Sequence, residues 1–182
     1  MKSKIYYFIV LSIVLFLGCA DAYECVIKGS TIEKVGIGDP AEKVYSVFES
    51  RYRIIGEEKP HSVSTLSLYQ GNEVIMKVSL DPDNRVLFID AYDKCVTLKQ
   101  IGVGSTLREL IKTYGKGQIT PTDEGYLINF KSAKSLAFLL DDRDIPKRLR
   151  NIPDDVFNES QEKEILRLKN VRVCSIKIVS RE

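Results

Sequence analysis

Gly36-Ile37-Gly38-Asp39-Pro40 and Gly102-Val103-Gly104-Ser105-Thr106 constrain the chain more than any other stretch. They lie 66 positions apart (Gly36 to Gly102), and each opens an amphipathic run, Ala41 to Tyr52 and Leu107 to Tyr114. The same order of features at a fixed spacing predicts one structural unit used twice. Asp39 is placed to cap the first helix, with Pro40 at its first position and Glu42 as the capping-box partner, and Ser105 is the matching cap in the second. Val44, Val47, Phe48 and Tyr52 recur at helical spacing, as do Leu107, Leu110, Ile111 and Tyr114, with Gly115 as a stop. Shifted by 66, Val44 falls on Leu110 and Phe48 on Tyr114, so the two helices present equivalent faces.

After each helix the period changes from helical to two, the signature of half-buried strands. The first unit gives strands at Thr65 to Tyr69, Val74 to Leu80 and Arg85 to Tyr92, separated by turns at 70–73 and 81–84. The second gives Gly125 to Phe130, Ser135 to Leu140 and, after an insertion, Val171 to Val179. At a shift of 60, Met76, Val78 and Leu80 match Leu136, Phe138 and Leu140; Val86-x-x-Ile89-x-Ala91 matches Val173-x-x-Ile176-x-Ile178. The expected fold is therefore α+β: tandem units of one helix and a three-stranded antiparallel sheet, with the helices on one face. The units span 23–98 and 99–182. The insertion, 141–170, is broken by Ile145-Pro146 and Ile152-Pro153; Asn158 and Gln161 form a capping box before a charged helix from Glu162 to Lys169 that reads as cover for a sheet edge.

The first 22 residues stand outside that fold. Lys2 and Lys4 precede an apolar run from Ile5 to Leu17, and Gly18-Cys19-Ala20-Asp21-Ala22 supplies the small residues of a cleavage site. Thirteen residues are too few for a membrane span, which takes about 20, so the segment reads as an export signal. Ala20-x-Ala22 suits signal peptidase I and Gly18-Cys19 suits a lipoprotein box with Cys19 as the lipidated residue; both routes stay open, with an uncleaved anchor as a third. The destination is periplasmic or secreted, or the outer membrane if Cys19 is lipidated, and any membrane contact runs through the signal or that anchor.

Whole-chain charge is 27 basic against 25 acidic residues. Loss of Lys2, Lys4 and Asp21 with the signal leaves 25 against 24, a net of +1 with the signs interspersed. That balance offers no pull toward nucleic acid. Export leaves Cys25, Cys95 and Cys174 as side chains in an oxidising compartment. Cys25 and Cys95 each precede a unit, which favours a Cys25–Cys95 bridge, though all three pairings remain open.

Few residues carry chemistry. The Gly-x-Gly segments lack the third glycine and parallel βαβ context of a dinucleotide loop and read as turns that need positive φ. Asp81-x-Asp83-Asn84 and Asp141-Asp142-x-Asp144 fall where hairpins turn and lack the rest of a calcium loop. His61 is the single histidine, no nucleophile motif accompanies it, and no CxxC is present. No catalytic, cofactor or metal residue is assigned, and a non-enzymatic role is expected.

Alternation then divides the strands between two faces. Leu66, Met76, Val78, Leu87, Ile89, Ile128, Phe130, Leu136, Phe138, Ile176 and Ile178 are expected against the helices. The outward set contains Tyr69, Ile75, Lys77, Val86, Phe88, Asp90, Tyr92, Leu127, Leu139, Val173 and Lys177. Aromatic and aliphatic side chains mixed with a few charges suit protein contact, so Tyr69, Lys77, Phe88, Asp90, Tyr92, Leu139 and Lys177 are the candidate binding residues.

A tandem unit of Gly-x-Gly, helix, three strands, Asp-rich turn and Val-x-x-Ile final strand resembles the β-lactamase inhibitor protein-like fold, and each unit resembles the SmpA/OmlA-type outer-membrane assembly lipoproteins. The resemblance spans about residues 31–180; the second-unit insertion departs from it, and no family binding residue carries over. It implies protein–protein contact without a cofactor. The expectation is an exported envelope protein that binds another envelope or extracellular protein through an open sheet face, as inhibitor or assembly adaptor. The alternative is a periplasmic carrier of a small ligand or lipid, held between sheet and insertion.

Overall fold

A computed structural model describes residues 25–57, 63–92, 95–150, 152–153 and 155–180. The export segment, Cys19 and His61 lie outside the described residues. The described residues form a mixed α+β structure of two sheets and three helices, dominated by strands.

A small sheet of four short strands comes first: β1 (Cys25–Lys28), β2 (Thr31–Ile32) and β3 (Val35–Gly36), joined from later in the chain by β8 (Cys95–Thr97). Helix α1 (Ala41–Phe48) leads into β4 (Arg53–Glu57), β5 (Ser64–Gln70), β6 (Glu73–Leu80) and β7 (Val86–Ala91). After β8, helix α2 (Leu107–Tyr114) leads into β9 (Gly117–Thr122), β10 (Gly125–Phe130), β11 (Leu136–Leu140) and β12 (Val173–Ile178). These eight strands form one antiparallel sheet in the order β4-β5-β6-β7-β12-β11-β10-β9. Each of these two helices is thus followed by four strands of the large sheet, where alternation alone predicts three. Arg53–Glu57 and Gly117–Thr122 are the additional edge strands, and both carry glycine or proline residues that read as breakers.

The strand order is palindromic about β7 and β12, and the local hydrogen bonds repeat on both sides. Gly38 N–H donates to Val86 O at 2.7 Å and Gly104 N–H to Val173 O at 2.8 Å. Val86 N–H returns to Asp39 O, and Val173 N–H to Ser105 O, each at 2.8 Å. Both second glycines have positive φ, +83° and +89°, a backbone conformation glycine adopts without steric cost. Each Gly-x-Gly turn therefore anchors the start of one of the two central strands.

The expected helix caps are corrected. Asp39 Oδ2 accepts from Gly36 N–H at 2.7 Å and Ser105 Oγ from Gly102 N–H at 3.0 Å, so both side chains close the turn instead of capping. The N-caps are the next residues, Pro40 and Thr106. Of these two, Thr106 makes a capping box, with Glu109, and Pro40 does not. Helix α1 also ends at Phe48, before Tyr52.

The core fills the space between the sheet and the helices. Val44 and Phe48 of α1 and Leu107 and Leu110 of α2 pack with Leu66, Met76, Val78, Ile89, Ile128, Phe138, Ile176 and Ile178 of the strands. The insertion joins the same core through Ile145, Leu149 and Ile165. Its helix α3 (Glu159–Leu166) has the expected Asn158–Gln161 capping box but starts three residues earlier than predicted. Glu162 accepts from Ile119 N–H on edge strand β9 at 3.0 Å, satisfying a donor that the sheet leaves unpaired.

Two bulges correct the face assignment. Leu80 pairs with Val86 and Ser79 with Phe88, leaving Leu87 as the extra residue; Leu140 pairs with Val173 and Leu139 with Ser175, leaving Cys174. One inserted residue moves everything beyond it to the opposite face. Val86 and Val173, expected outward, are in the core, and Leu87, expected inward, is 42% exposed.

Candidate functional site

The face of the large sheet opposite the helices is organised around one cross-strand row. Ser67 on β5, Lys77 on β6, Asp90 on β7, Lys177 on β12, Ala137 on β11, Asn129 on β10 and Gln118 on β9 are successive register partners. At its centre Asp90 and Lys177 face each other with Nζ–Oδ1 at 3.5 Å. They sit at corresponding places in the two final strands, since Ile89 pairs with Ile178 and Ala91 with Ile176 on either side. An identical residue in both strands would set like charges opposite one another; Asp against Lys gives an attractive pair where the halves of the sheet meet.

Asp90 is only 6% exposed. Its Oδ1 is buried without a hydrogen bond among the described residues, the Lys177 ammonium being at ion-pair separation only. Burial raises its carboxyl pKa above the usual range, and Glu124 adds to this, while Lys177 and Lys77 oppose it. Lys177 Nζ also lies 3.5 Å from Glu124 Oε2, on the turn between β9 and β10, and 4.8 Å from the centroid of the Phe88 ring. Lys77 Nζ stands 5.8 Å from the Tyr92 ring. The Tyr92 hydroxyl is pushed up to about 12, first by burial and then by Asp90 and Glu124, so it stays a protonated donor across the neutral range.

Of the seven candidate residues, Lys77, Phe88, Asp90, Tyr92 and Lys177 gather around this pair. Leu139 pairs with Ser175 on the same face and is buried outside the core cluster, as are Ile75 and Ala137. Tyr69 lies beside edge strand β4, with the Arg53 guanidinium 5.0 Å from its ring. Glu124 was not foreseeable from strand alternation because it belongs to a turn. The small residues Ser67, Ser79 and Ser175, all buried, form the floor between the large outward side chains, and nothing in the sequence pattern marks them as part of the face.

The Asp-rich segments serve local turns and arginine pairs, and Asp142 Oδ1 is buried without a hydrogen-bond partner among the described residues. Asp81 Oδ1 accepts from Asp83 and Arg85 N–H at 3.0 and 2.8 Å, Asp141 Oδ1 accepts from Arg143 N–H at 3.0 Å, and Asp144 grips Arg172 through both carboxylate oxygens. Among the described residues no group of three or more His, Cys, Asp or Glu could hold a metal ion. Cys25 and Cys95 are register partners in β1 and β8 and form a disulfide, with Cα atoms 4.4 Å apart. Cys174 is a free, half-buried thiol, pushed up to about 11 mainly by burial. Among the described residues no helix is long and apolar enough to cross a membrane.

These features define an α+β protein whose antiparallel sheet carries helices on one face and presents an aromatic and charged surface on the other. The chain is similar in fold to the uncharacterized protein yfeY from Escherichia coli, whose crystal structure matches with a TM-score of 0.60 at 14% identity, covering 85% of this chain and 99% of that one. No family model matches the sequence, and neither does any curated protein.

Proposed function

We propose that the chain is an exported, non-enzymatic envelope protein built from a duplicated helix-and-sheet unit, and that it binds another protein across the open face of its large sheet. One observation carries this reading. Phe88 and Tyr92 flank the Asp90–Lys177 pair on the sheet face opposite both helices and the buried residues of the insertion. Half-buried aromatic rings around a shielded charge pair are the chemistry of interface centres, where water exclusion makes each contact worth most. A disulfide that closes a long stretch of chain is compatible with an oxidising compartment.

The test uses the mature, oxidised protein carrying a photo-crosslinking residue at position 88 or, as control, at position 45, where Tyr45 is exposed on α1. The expected result is one dominant crosslinked partner from position 88, reproduced with that partner purified, and none from position 45. Phe88→Ser with Tyr92→Ser should then weaken the purified complex at least about a hundredfold, as expected for two hot-spot residues, with an unchanged far-UV spectrum. Equal crosslinking from both positions, or unchanged affinity of the double variant, refutes the reading.

A further inference from the structure

We infer that the chain carries a second site, separate from the open sheet face, that takes a single-chain amphiphile with an anionic head. A cavity of about 410 Å³ lies where the small sheet meets α2 and the segment 131–136. That volume falls within the range of ligand clefts. Ile27, Thr97, Tyr114 and Leu136 supply a largely apolar lining. Leu98, also in the lining, is 63% exposed, the most exposed of the large hydrophobic residues in the described chain. A ligand tail would cover it.

Three exposed lysines, Lys99, Lys131 and Lys134, line the same cavity. Among the described residues none of them makes an ion pair, whereas Lys43, Lys163 and Lys177 all do. Lys99 Nζ stands 4.9 Å from the Tyr114 ring, which holds its charge beside the apolar lining. Lys131 and Lys134 also line an adjoining cavity of about 580 Å³, to which Lys116 is added. The carboxylate there, Glu162, is engaged by Ile119 N–H. Lysine ammonium groups that make no ion pair among the described residues, beside an apolar lining, match a carboxylate or phosphate head on an acyl or alkyl tail.

The lining also offers a polar anchor. Thr97 Oγ1 accepts from Tyr114 Oη–H at 2.9 Å and Ile101 N–H at 3.3 Å, leaving its own hydroxyl hydrogen for a ligand oxygen. Ile27 and Thr97 are register partners in β1 and β8, two pairs beyond the Cys25–Cys95 disulfide, so the cross-link fixes this side of the cavity.

The experiment is calorimetric titration of the mature, oxidised protein with dodecanoate, dodecyl phosphate, dodecyltrimethylammonium and inorganic phosphate, all below micelle-forming concentrations. The two anionic amphiphiles should bind at one site, with affinity falling as salt rises; whichever binds tighter names the head group. The cationic amphiphile and inorganic phosphate should bind at least about tenfold more weakly. Lys99→Gln with Lys131→Gln and Lys134→Gln should weaken dodecanoate by about tenfold or more, since three exposed ion pairs each add a modest part of the attraction to the head group. All three side chains are exposed, so the variant should melt like the parent. Equal binding of the cationic amphiphile, full affinity for phosphate without a tail, or an unaffected triple variant overturns the proposal. These readouts need no protein partner, so their failure leaves the reading of the sheet face untouched.

Discussion

Reducing the Cys25–Cys95 disulfide should be the most damaging mild perturbation of this protein. The bridge closes a loop with a sequence separation of 70 residues, joining the first described strand to the strand that precedes α2. In the chain-entropy treatment a cross-link of that span removes about 15 cal/mol/K from the unfolded chain, which is about 4.4 kcal/mol at 25 °C. The folded state has little to regain when the bond is cut, because β1 and β8 already pair in parallel register at this point. For a chain of this size a loss near 4 kcal/mol corresponds to a fall in Tm of about 10–15 °C. Urea denaturation of the oxidised and reduced wild type measures it without changing any side-chain volume. Cys25→Ala with Cys95→Ala should cost slightly more, because both sulfurs are buried. Alkylation identifies the bond. In unfolded, unreduced protein only Cys174 of these three cysteines should label, and in native protein it should label at least about tenfold more slowly than an ordinary thiol, since burial pushes its thiol up to about 11. A loss below about 1 kcal/mol on reduction would refute the entropic reasoning, and labelling of Cys25 or Cys95 before reduction would refute the pairing.

Two further perturbations test the sheet. Asp90 has a folded pKa above its unfolded value of 3.8, so its ionisation opposes folding: its contribution to stability is lost as pH rises from that value through the raised one. Asp90→Asn should flatten that part of the stability–pH curve relative to the wild type in urea titrations, and parallel curves would show that burial of the charge carries no cost. Gly117→Ala should destabilise by about 1–3 kcal/mol through overpacking, because the added Cβ would meet Ile128 Cδ1 at 2.5 Å and Phe130 Cε1 at 2.9 Å. An unchanged urea midpoint would mean that β9 can shift away from β10.

What could be read before folding follows from how local each signal is. The strands Ser64–Gln70, Glu73–Leu80 and Gly125–Phe130 are rich in apolar residues and bounded by turn residues, and their ends fall within one residue of expectation. Arg53–Glu57 and Gly117–Thr122 do not alternate cleanly. Glycine and Pro121 are tolerated there only because an edge strand has a free side, and edge position is a property of the assembled sheet. Asp39 and Ser105 illustrate a subtler limit. Their spacing suits a helix cap or a turn-closing acceptor equally, and the positive-φ glycine between them and Gly36 or Gly102 selects the turn.

By itself the sequence determined the repeated Gly-x-Gly opening, the periodicities that make helices and strands, and the pairing of shifts that brings Met76 and Leu136 to corresponding registers. These depend on neighbours a few residues apart, or on a comparison of the chain with itself. Only the tertiary structure decided that Leu87 and Cys174 bulge, sending Val86 and Val173 to the core, because a bulge exists only against a partner strand. It alone set Asp90 opposite Lys177, brought the Glu124 turn to the same ammonium, and left Lys99, Lys131 and Lys134 around one cavity. Those residues are far apart in the chain, and no local pattern records the distance between them.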